Sequence, residues 1–269
     1  LLPGMTSTDI DPKEGAARNI AELVESSASA SVRGFPAWAS LTPSRRAARI
    51  ATLRKAIAVN QDAIARAIVE DTGKPITEAL NQEITAAVGL IGDAVARYPK
   101  LLRGYGFRYL RPGFWTKTHR VVREPLGVVA VIGPSNFPFS IPMMQFVVAL
   151  LCGNTVVLKP SERSPRTARE LTTILNSWNA GEGLVNVLEG GSDVAEFLAA
   201  HPAVRKVVFT GGREGGANIA RACALNMKTC VLELGGNGAA IVCADADLEL
   251  AARGIAWSAF YAGGRSCVG

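Results

Sequence analysis

Five short runs of β-branched and apolar residues, each followed by a helix-permissive stretch, constrain what this chain can fold into more than any other feature. The runs are Gly127–Ile132 (GVVAVI), Thr155–Leu158, Val185–Leu188, Lys206–Phe209 and Thr229–Leu232. A short run without a polar face is the pattern of a strand buried on both sides. Helical stretches separate them at Met143–Leu151, Pro165–Trp178, Asp193–Ala200 and Glu214–Ala224. Strands alternating with helices imply parallel βαβ units. The expected fold is therefore α/β, with a doubly wound, mostly parallel sheet.

The residues ahead of the sheet read as helical. Glu14–Ser31 is rich in alanine. Thr42 and Pro43 make a helix start, as cap and first-turn residue. Ala47, Ile50, Leu53 and Ile57 follow at helical spacing, continued by Ile64 and Ile68. Gly73 and Pro75 make a stop. A second helix is predicted over 76–97, burying Leu80, Ile84, Val88, Ile91 and Val95. The polar residues before Glu14 are expected to be ordered only by docking. Lys117–Pro125 (KTHRVVREP) alternates charged and β-branched types and reads as an exposed strand or ribbon. Past the sheet, Ala239–Val242 predicts another strand. Asp245 and Asp247 can cap a helix running to about Ala262. The expected division is a helical part over 1–116, the ribbon over 117–126, the sheet core over 127–235 and the start of a further domain over 236–269.

Composition excludes several classes. With 269 residues, 48% of them hydrophobic, the chain can bury a large core. The net charge of +6 is spread along mixed helical segments without a run of like charge, so no nucleic-acid partner is expected. Five cysteines, an odd number with no C-x-x-C pair, argue against a disulfide framework and against a metal site. They favour a reducing compartment, and a cytoplasmic location is expected. Leu126–Leu158 is apolar, but Pro134, Asn136, Pro138 and Pro142 interrupt it, so it reads as buried core and not as a membrane span. The first residues, LLPGMTSTDIDPKEG, lack the basic-then-apolar order of a secretory leader.

Ligands of doubly wound sheets sit at the carboxyl ends of the strands. After the first strand, Asn136 lies between Pro134 and Pro138, where an amide can donate to an oxyanion; a turn Asn satisfying its own backbone is the plainer alternative. After the second, Lys159 and Glu162 can grip ribose hydroxyls, with the carboxylate repelling a 2′-phosphate; simple solvent exposure competes. After the fourth, Thr210-Gly211-Gly212-Arg213-Glu214-Gly215-Gly216 opens a helix, and its glycines would let backbone amides approach a pyrophosphate. After the fifth, Glu233 stands among apolar neighbours and can serve as a general base, or be only a turn acid. Cys267 follows Gly264-Arg265-Ser266, where backbone amides and the charge of Arg265 would favour a thiolate; a core cysteine is the alternative. Cys152, Cys223, Cys230 and Cys243 read as small core residues.

These signals fall in one order. GKP at Gly73–Pro75, EPLGVVAVIGPSNFPF at Glu124–Phe139, GNTVVLKPSERSP at Gly153–Pro165, KVVFTG at Lys206–Gly211, LELGGN at Leu232–Asn237, DADL at Asp245–Leu248 and GRSC at Gly264–Cys267 together resemble the aldehyde dehydrogenase superfamily. The resemblance starts near residue 20 and covers about the first half of a family member. It implies that Cys267 is the nucleophile, Glu233 the general base and Asn136 the oxyanion-holding amide. It implies an NAD site, NADP being disfavoured by Glu162, built from Ile132, Gly133, Pro134, Ser135, Asn136, Lys159, Ser161, Glu162, Gly191, Phe209, Thr210, Gly211, Gly212, Gly216, Glu233, Leu234 and Gly235. It also implies an aldehyde substrate, no metal, and a homo-oligomer for which Lys117–Pro125 is the arm. Departures from the family pattern are Ser135 for an aromatic residue, Gly212 for Ser, Asn237 for Lys, Arg265 for Gln and Gln145 for a frequent Lys.

The sequence ends at Gly269, without the family's second half. The leading expectation is thus the N-terminal portion of an NAD-dependent aldehyde dehydrogenase. A catalytically inactive NAD-binding module or truncated gene product is the alternative. A third reading keeps the fold and replaces water by coenzyme A or phosphate as acceptor.

Overall fold

The computed structural model describes residues 12–108, 111, 113–114, 116–178 and 181–268. The expectation about the first polar residues falls mainly on 1–11, outside the described residues. The chain opens with α1 (Pro12–Ala39), then α2 (Pro43–Ala51), α3 (Leu53–Val59) and α4 (Gln61–Thr72). Thr42 caps α2, its hydroxyl accepting from the Arg45 N–H at 3.3 Å, with Pro43 in the first turn. Gly73 ends α4 in the left-handed region, at φ 71°. That turn sends Lys74 inward, where it is buried.

The helix predicted over 76–97 extends to Leu101 and is not regular. It is built from α5 (Ile76–Glu78), a π-helical segment (Ala79–Thr85) and α6 (Ala86–Leu101). A π turn inserts an extra residue and rotates the inner face. Ala79, Glu83 and Ala87 therefore take fully buried positions, along with Ile84 and Ile91, while Leu80, Val88 and Val95 are only half-buried. A two-stranded antiparallel ribbon follows, β1 (Tyr105–Phe107) against β2 (His119–Val121). Phe107 faces His119 across it, with rings stacked at 5.2 Å. Lys117–Pro125 thus supplies one strand of the ribbon; Tyr105–Phe107, which carries no alternation to reveal it, supplies the other.

The sheet comprises β3 (Val128–Ile132), β4 (Thr155–Lys159), β5 (Val185–Val187), β6 (Val204–Gly211) and β7 (Thr229–Leu234). All pairings are parallel, in the order β5-β4-β3-β6-β7. The crossovers are α7 (Ser140–Leu151), α8 (Pro165–Trp178), α9 (Ser192–Ala200) and α10 (Arg213–Leu225). Alternate residues of the central strands go to opposite faces. Val129, Val131, Val156 and Leu158 pack with Ile50, Ile91, Phe146 and Leu171 on one side. Val128, Ala130, Ile132 and Val157 pack with Leu198, Ala199, Ile219 and Cys223 on the other. Both faces are covered at β3 and β4, which are buried throughout, as their apolar runs predict, whereas β5 is half-buried and the edge strand β7 is largely exposed, contrary to the burial expected of their runs. Successive crossovers step outward from β3 to β5, and then the chain returns to lay β6 on the other side of β3. The order reverses there, opening a crevice at the carboxyl ends of β3 and β6.

Beyond the sheet the predicted strand at Ala239–Val242 does not form. A strand exists by pairing, and no ladder partner meets this segment among the described residues; Ile241 stands 89% exposed. Cys243, expected in the core, is exposed for the same reason. α11 (Leu248–Gly264) starts as predicted, with the Asp247 carboxylate accepting from the Glu249 and Leu250 N–H groups at 3.0 Å. It leaves helical geometry at Tyr261, and Ala262 and Gly263 turn left-handed. Among the described residues, no helix is long and apolar enough to cross a membrane.

Candidate active site

The crevice at the switch point is a groove of about 480 Å³, within the roughly 300–1,000 Å³ range of ligand pockets. Three strand ends build it. Ile132, Gly133, Pro134 and Ser135 come from the end of β3, Lys159, Ser161 and Glu162 from that of β4, and Phe209, Thr210, Gly211 and Gly212 from that of β6. The ladder sets Ile132 beside both Lys159 and Phe209, so the three loops leave the sheet at one level. Gly133 must be glycine on steric grounds, since a Cβ would lie 2.7 Å from Pro142 Cγ. Gly212 is different: a Cβ there would meet nothing within 4 Å. Gly212 caps α10 with extended backbone, and Glu214 and Gly215 of the first turn line the groove. The first N–H groups of a helix lack intrahelical partners and carry its positive end, so this rim suits an anion.

At the β4 end, the buried Lys159 ammonium donates to the Pro160 carbonyl at 3.0 Å and to Glu162 Oε2 at 3.2 Å. Partial burial pushes the Glu162 carboxyl up, but its own backbone N–H and the Lys159 charge outweigh this and hold it below its usual value. Glu162 therefore stands ionised and half-exposed at the groove. Two of the expected glycines do not line it. Gly191 caps α9 one residue before Ser192, which does. Gly216 serves packing instead, since a Cβ there would lie 2.6 Å from Leu234 Cδ2. The sequence reading also missed Arg163, Glu196 and Asn218, polar residues that line the groove from the turn after β4 and from within α9 and α10. Glu196 Oε1 accepts from Asn218 Nδ2 at 2.9 Å.

Asn136, half-buried, lies past the β3 end of the groove. Its Oδ1 accepts from the Phe137 N–H at 3.0 Å, which turns Nδ2 outward to donate to the Arg265 carbonyl at 2.8 Å. The amide and the segment leading into Cys267 are thereby in contact across 129 residues of sequence. Arg265 does not direct its charge as expected; its guanidinium donates to the Thr72 carbonyl. Cys267 is exposed. Glu233 lies beside Thr210 in the β6–β7 ladder, with Leu234 beside Gly211 and Gly235 just beyond the strand. All three are exposed, contrary to the apolar setting expected for Glu233, because β7 is an edge strand with a neighbour on one side only. Gln145, on α7, donates from Nε2 to Thr210 Oγ1 at 2.7 Å and braces the β6 end from below. Of the other cysteines, Cys223 is buried, and burial pushes its thiol up to about 11. Burial also raises the Cys152 thiol, against the pull of Arg46 and Arg123. Neither is poised as a nucleophile.

Comparison with known proteins gives a consistent answer. The family model described as "Aldehyde dehydrogenase family" matches residues 13–269. The betaine aldehyde dehydrogenase of Vibrio vulnificus (strain YJ016) is 33% identical over 238 residues, which are 87% of this chain and 47% of that protein. An aldehyde dehydrogenase from Bacillus cereus, solved as an NAD+ complex, superposes with a TM-score of 0.84 at 30% identity, covering 92% of this chain and 50% of that one. An NADP-dependent enzyme of E. coli superposes with a TM-score of 0.85 at 33% identity, covering 92% of this chain and 51% of that one. The chain thus spans about half the length of the relatives it matches.

Proposed function

This chain belongs to the aldehyde dehydrogenase family, and from that premise we propose that it carries the dinucleotide site and the nucleophile of an enzyme that oxidises an aldehyde to a carboxylic acid with NAD. The observation that carries the reading is the 2.8 Å hydrogen bond from Asn136 to the Arg265 carbonyl. It ties the loop at one end of the groove to the segment that bears Cys267.

The residues present fit a dinucleotide. Lys159 and Glu162 would hold ribose hydroxyls, and the amides opening α10 at Gly212 would meet the pyrophosphate. Bound there, NAD supplies the hydride acceptor for the reaction. The thiolate of Cys267 adds to the aldehyde carbon and makes a thiohemiacetal. Its developing oxyanion is held by Asn136 Nδ2, released from the Arg265 carbonyl, together with the Cys267 backbone N–H. After oxidation a thioester remains on Cys267. Glu233 takes a proton from water, the hydroxide attacks the thioester carbonyl, and the acid leaves as the thiol is restored. The exposure of Glu233 leaves its carboxylate accessible to water. We also read the protein as a cytoplasmic homo-oligomer that associates through the β1–β2 ribbon, whose Tyr105 is 56% exposed.

A catalytically silent NAD-binding module is the second reading, favoured by the open setting of Glu233 and Cys267. Calorimetry with NAD and an assay of NADH formation over a panel of aldehydes separate the two. Binding with turnover supports the enzyme, binding alone supports the module, and the absence of both sinks the dinucleotide site. Cofactor choice is a sharper test. On this reading the Glu162 carboxylate, which lines the groove, would repel a 2′-phosphate, so wild-type protein should bind NAD in preference to NADP. Glu162→Gln should narrow that preference by about tenfold, or roughly 1.4 kcal/mol. Equal affinities in the wild type would contradict the role given to Glu162.

A further inference from the structure

An ion pair lies wholly inside the protein, behind the loop that carries Asn136. Lys74 Nζ and Glu83 Oε1 are 2.6 Å apart, and both side chains are 0% exposed. Burying two charges is costly unless every remaining donor and acceptor is used. Here the second carboxylate oxygen and the ammonium both face one target, the loop before α7. The second oxygen, Glu83 Oε2, accepts from the backbone N–H groups of Phe139 and Ser140 at 3.1 and 3.0 Å. Phe139 is the N-cap of α7 and offers no side-chain cap of its own, so Glu83 caps that helix from a distant element. The Lys74 ammonium lies 3.6 Å from the centroid of the Phe137 ring. Phe137 in turn fixes Asn136, through the N–H that Asn136 Oδ1 accepts.

The same turn reaches the other half of the site. The Thr72 carbonyl receives the Arg265 guanidinium, and the Lys74 N–H donates to Thr72 Oγ1. Glu78 Oε2, at the start of the π-helical rod, accepts from the Ala262 N–H at 3.1 Å. One structural unit, the Gly73 turn and the π segment after it, therefore grips the loop before α7 and the segment before Cys267.

We propose that Lys74 and Glu83 are positioning residues, a buried pair that holds Phe137–Ser140 and thereby aims the Asn136 amide at the nucleophile segment. The inference rests on the role given to Asn136 above. It requires no contact between the pair and substrate or cofactor. A pair serving the fold alone would matter only for stability. A positioning pair also sets the Asn136 amide in a protein that remains folded.

The experiment is solution NMR of the isotope-labelled chain, reading the two side-chain amide protons of Asn136, assigned by their loss in Asn136→Ala. The double variant Lys74→Met/Glu83→Gln removes both charges at once and avoids stranding either. The expected result is loss of the wild-type separation between the two Asn136 protons, as the one bonded to the Arg265 carbonyl moves to the position of a free amide. The backbone amides of Val129–Val131 should not move. Phe137→Leu keeps the ion pair and removes only the ring that Lys74 faces, and it should disturb the same two signals. Wild-type Asn136 signals in both variants overturn the proposal. Aldehyde turnover is scored separately: its absence from the wild-type chain counts against the enzyme reading and leaves the amide signals to decide the positioning claim.

Discussion

Cys267→Ala is expected to abolish aldehyde oxidation while leaving NAD affinity unchanged. Removing a nucleophile from a covalent mechanism typically lowers kcat by about 10⁴- to 10⁶-fold. Cofactor affinity should hold because Cys267 does not line the groove between β3, β4 and β6. The contrast with Cys243 makes the test specific. Both thiols are exposed, but Asn136 reaches only the segment of Cys267. Cys243→Ala should therefore retain turnover. Loss of activity in Cys243→Ala with survival in Cys267→Ala would falsify the assignment.

The second large effect is on stability. Lys74→Met alone should cost about 3–5 kcal/mol, because it leaves the Glu83 carboxylate buried without its counter-charge. Domains are stable by only about 5–15 kcal/mol in total, so a loss of this size removes at least about a fifth of it and can remove all of it. The double variant Lys74→Met/Glu83→Gln should recover most of the loss, since neither charge is then left buried without its partner. Urea unfolding of the two variants measures this directly. Equal midpoints for the single and double variants would mean that the charges are not coupled as the 2.6 Å contact requires.

The sheet was legible because its central strands β3 and β4 are buried on both faces. Val128–Ile132 and Val156–Leu158 are wholly apolar and buried, and helices elsewhere in the chain carry clear starts at Thr42-Pro43 and Asp247. The groove was legible because ligands of such sheets collect at strand ends, so Gly133, Lys159, Glu162 and Gly212 stand out as residues at or just past the end of a strand. Ala239–Val242 misled because an apolar β-branched run states a tendency to pair but does not supply the partner. Gly216 misled because a glycine for helix–sheet packing and one for ligand approach look alike in a glycine-rich turn.

Glu83 was the most instructive omission. It stands four residues from both Ala79 and Ala87, on the inner face of the rod, and an acid at such a position announces a buried partner. Helical periodicity alone placed that face elsewhere, because a regular 3.6-residue repeat does not anticipate the π turn over Ala79–Thr85. The Lys74 turn was visible only as part of a motif, and its purpose emerges from what its ammonium and its neighbour's carbonyl touch.

In the proposed enzyme, loops leaving β3, β4, β6 and β7 set a dinucleotide against an amide, a carboxylate and a thiol. The most direct measurement is a crystal structure of the protein with NAD. The adenosine ribose is expected against Lys159 and Glu162, the pyrophosphate over the backbone at Gly212, and the nicotinamide ring turned toward Asn136 and Cys267. A dinucleotide bound elsewhere, or lying in the groove with its adenine beside Asn136, would contradict it.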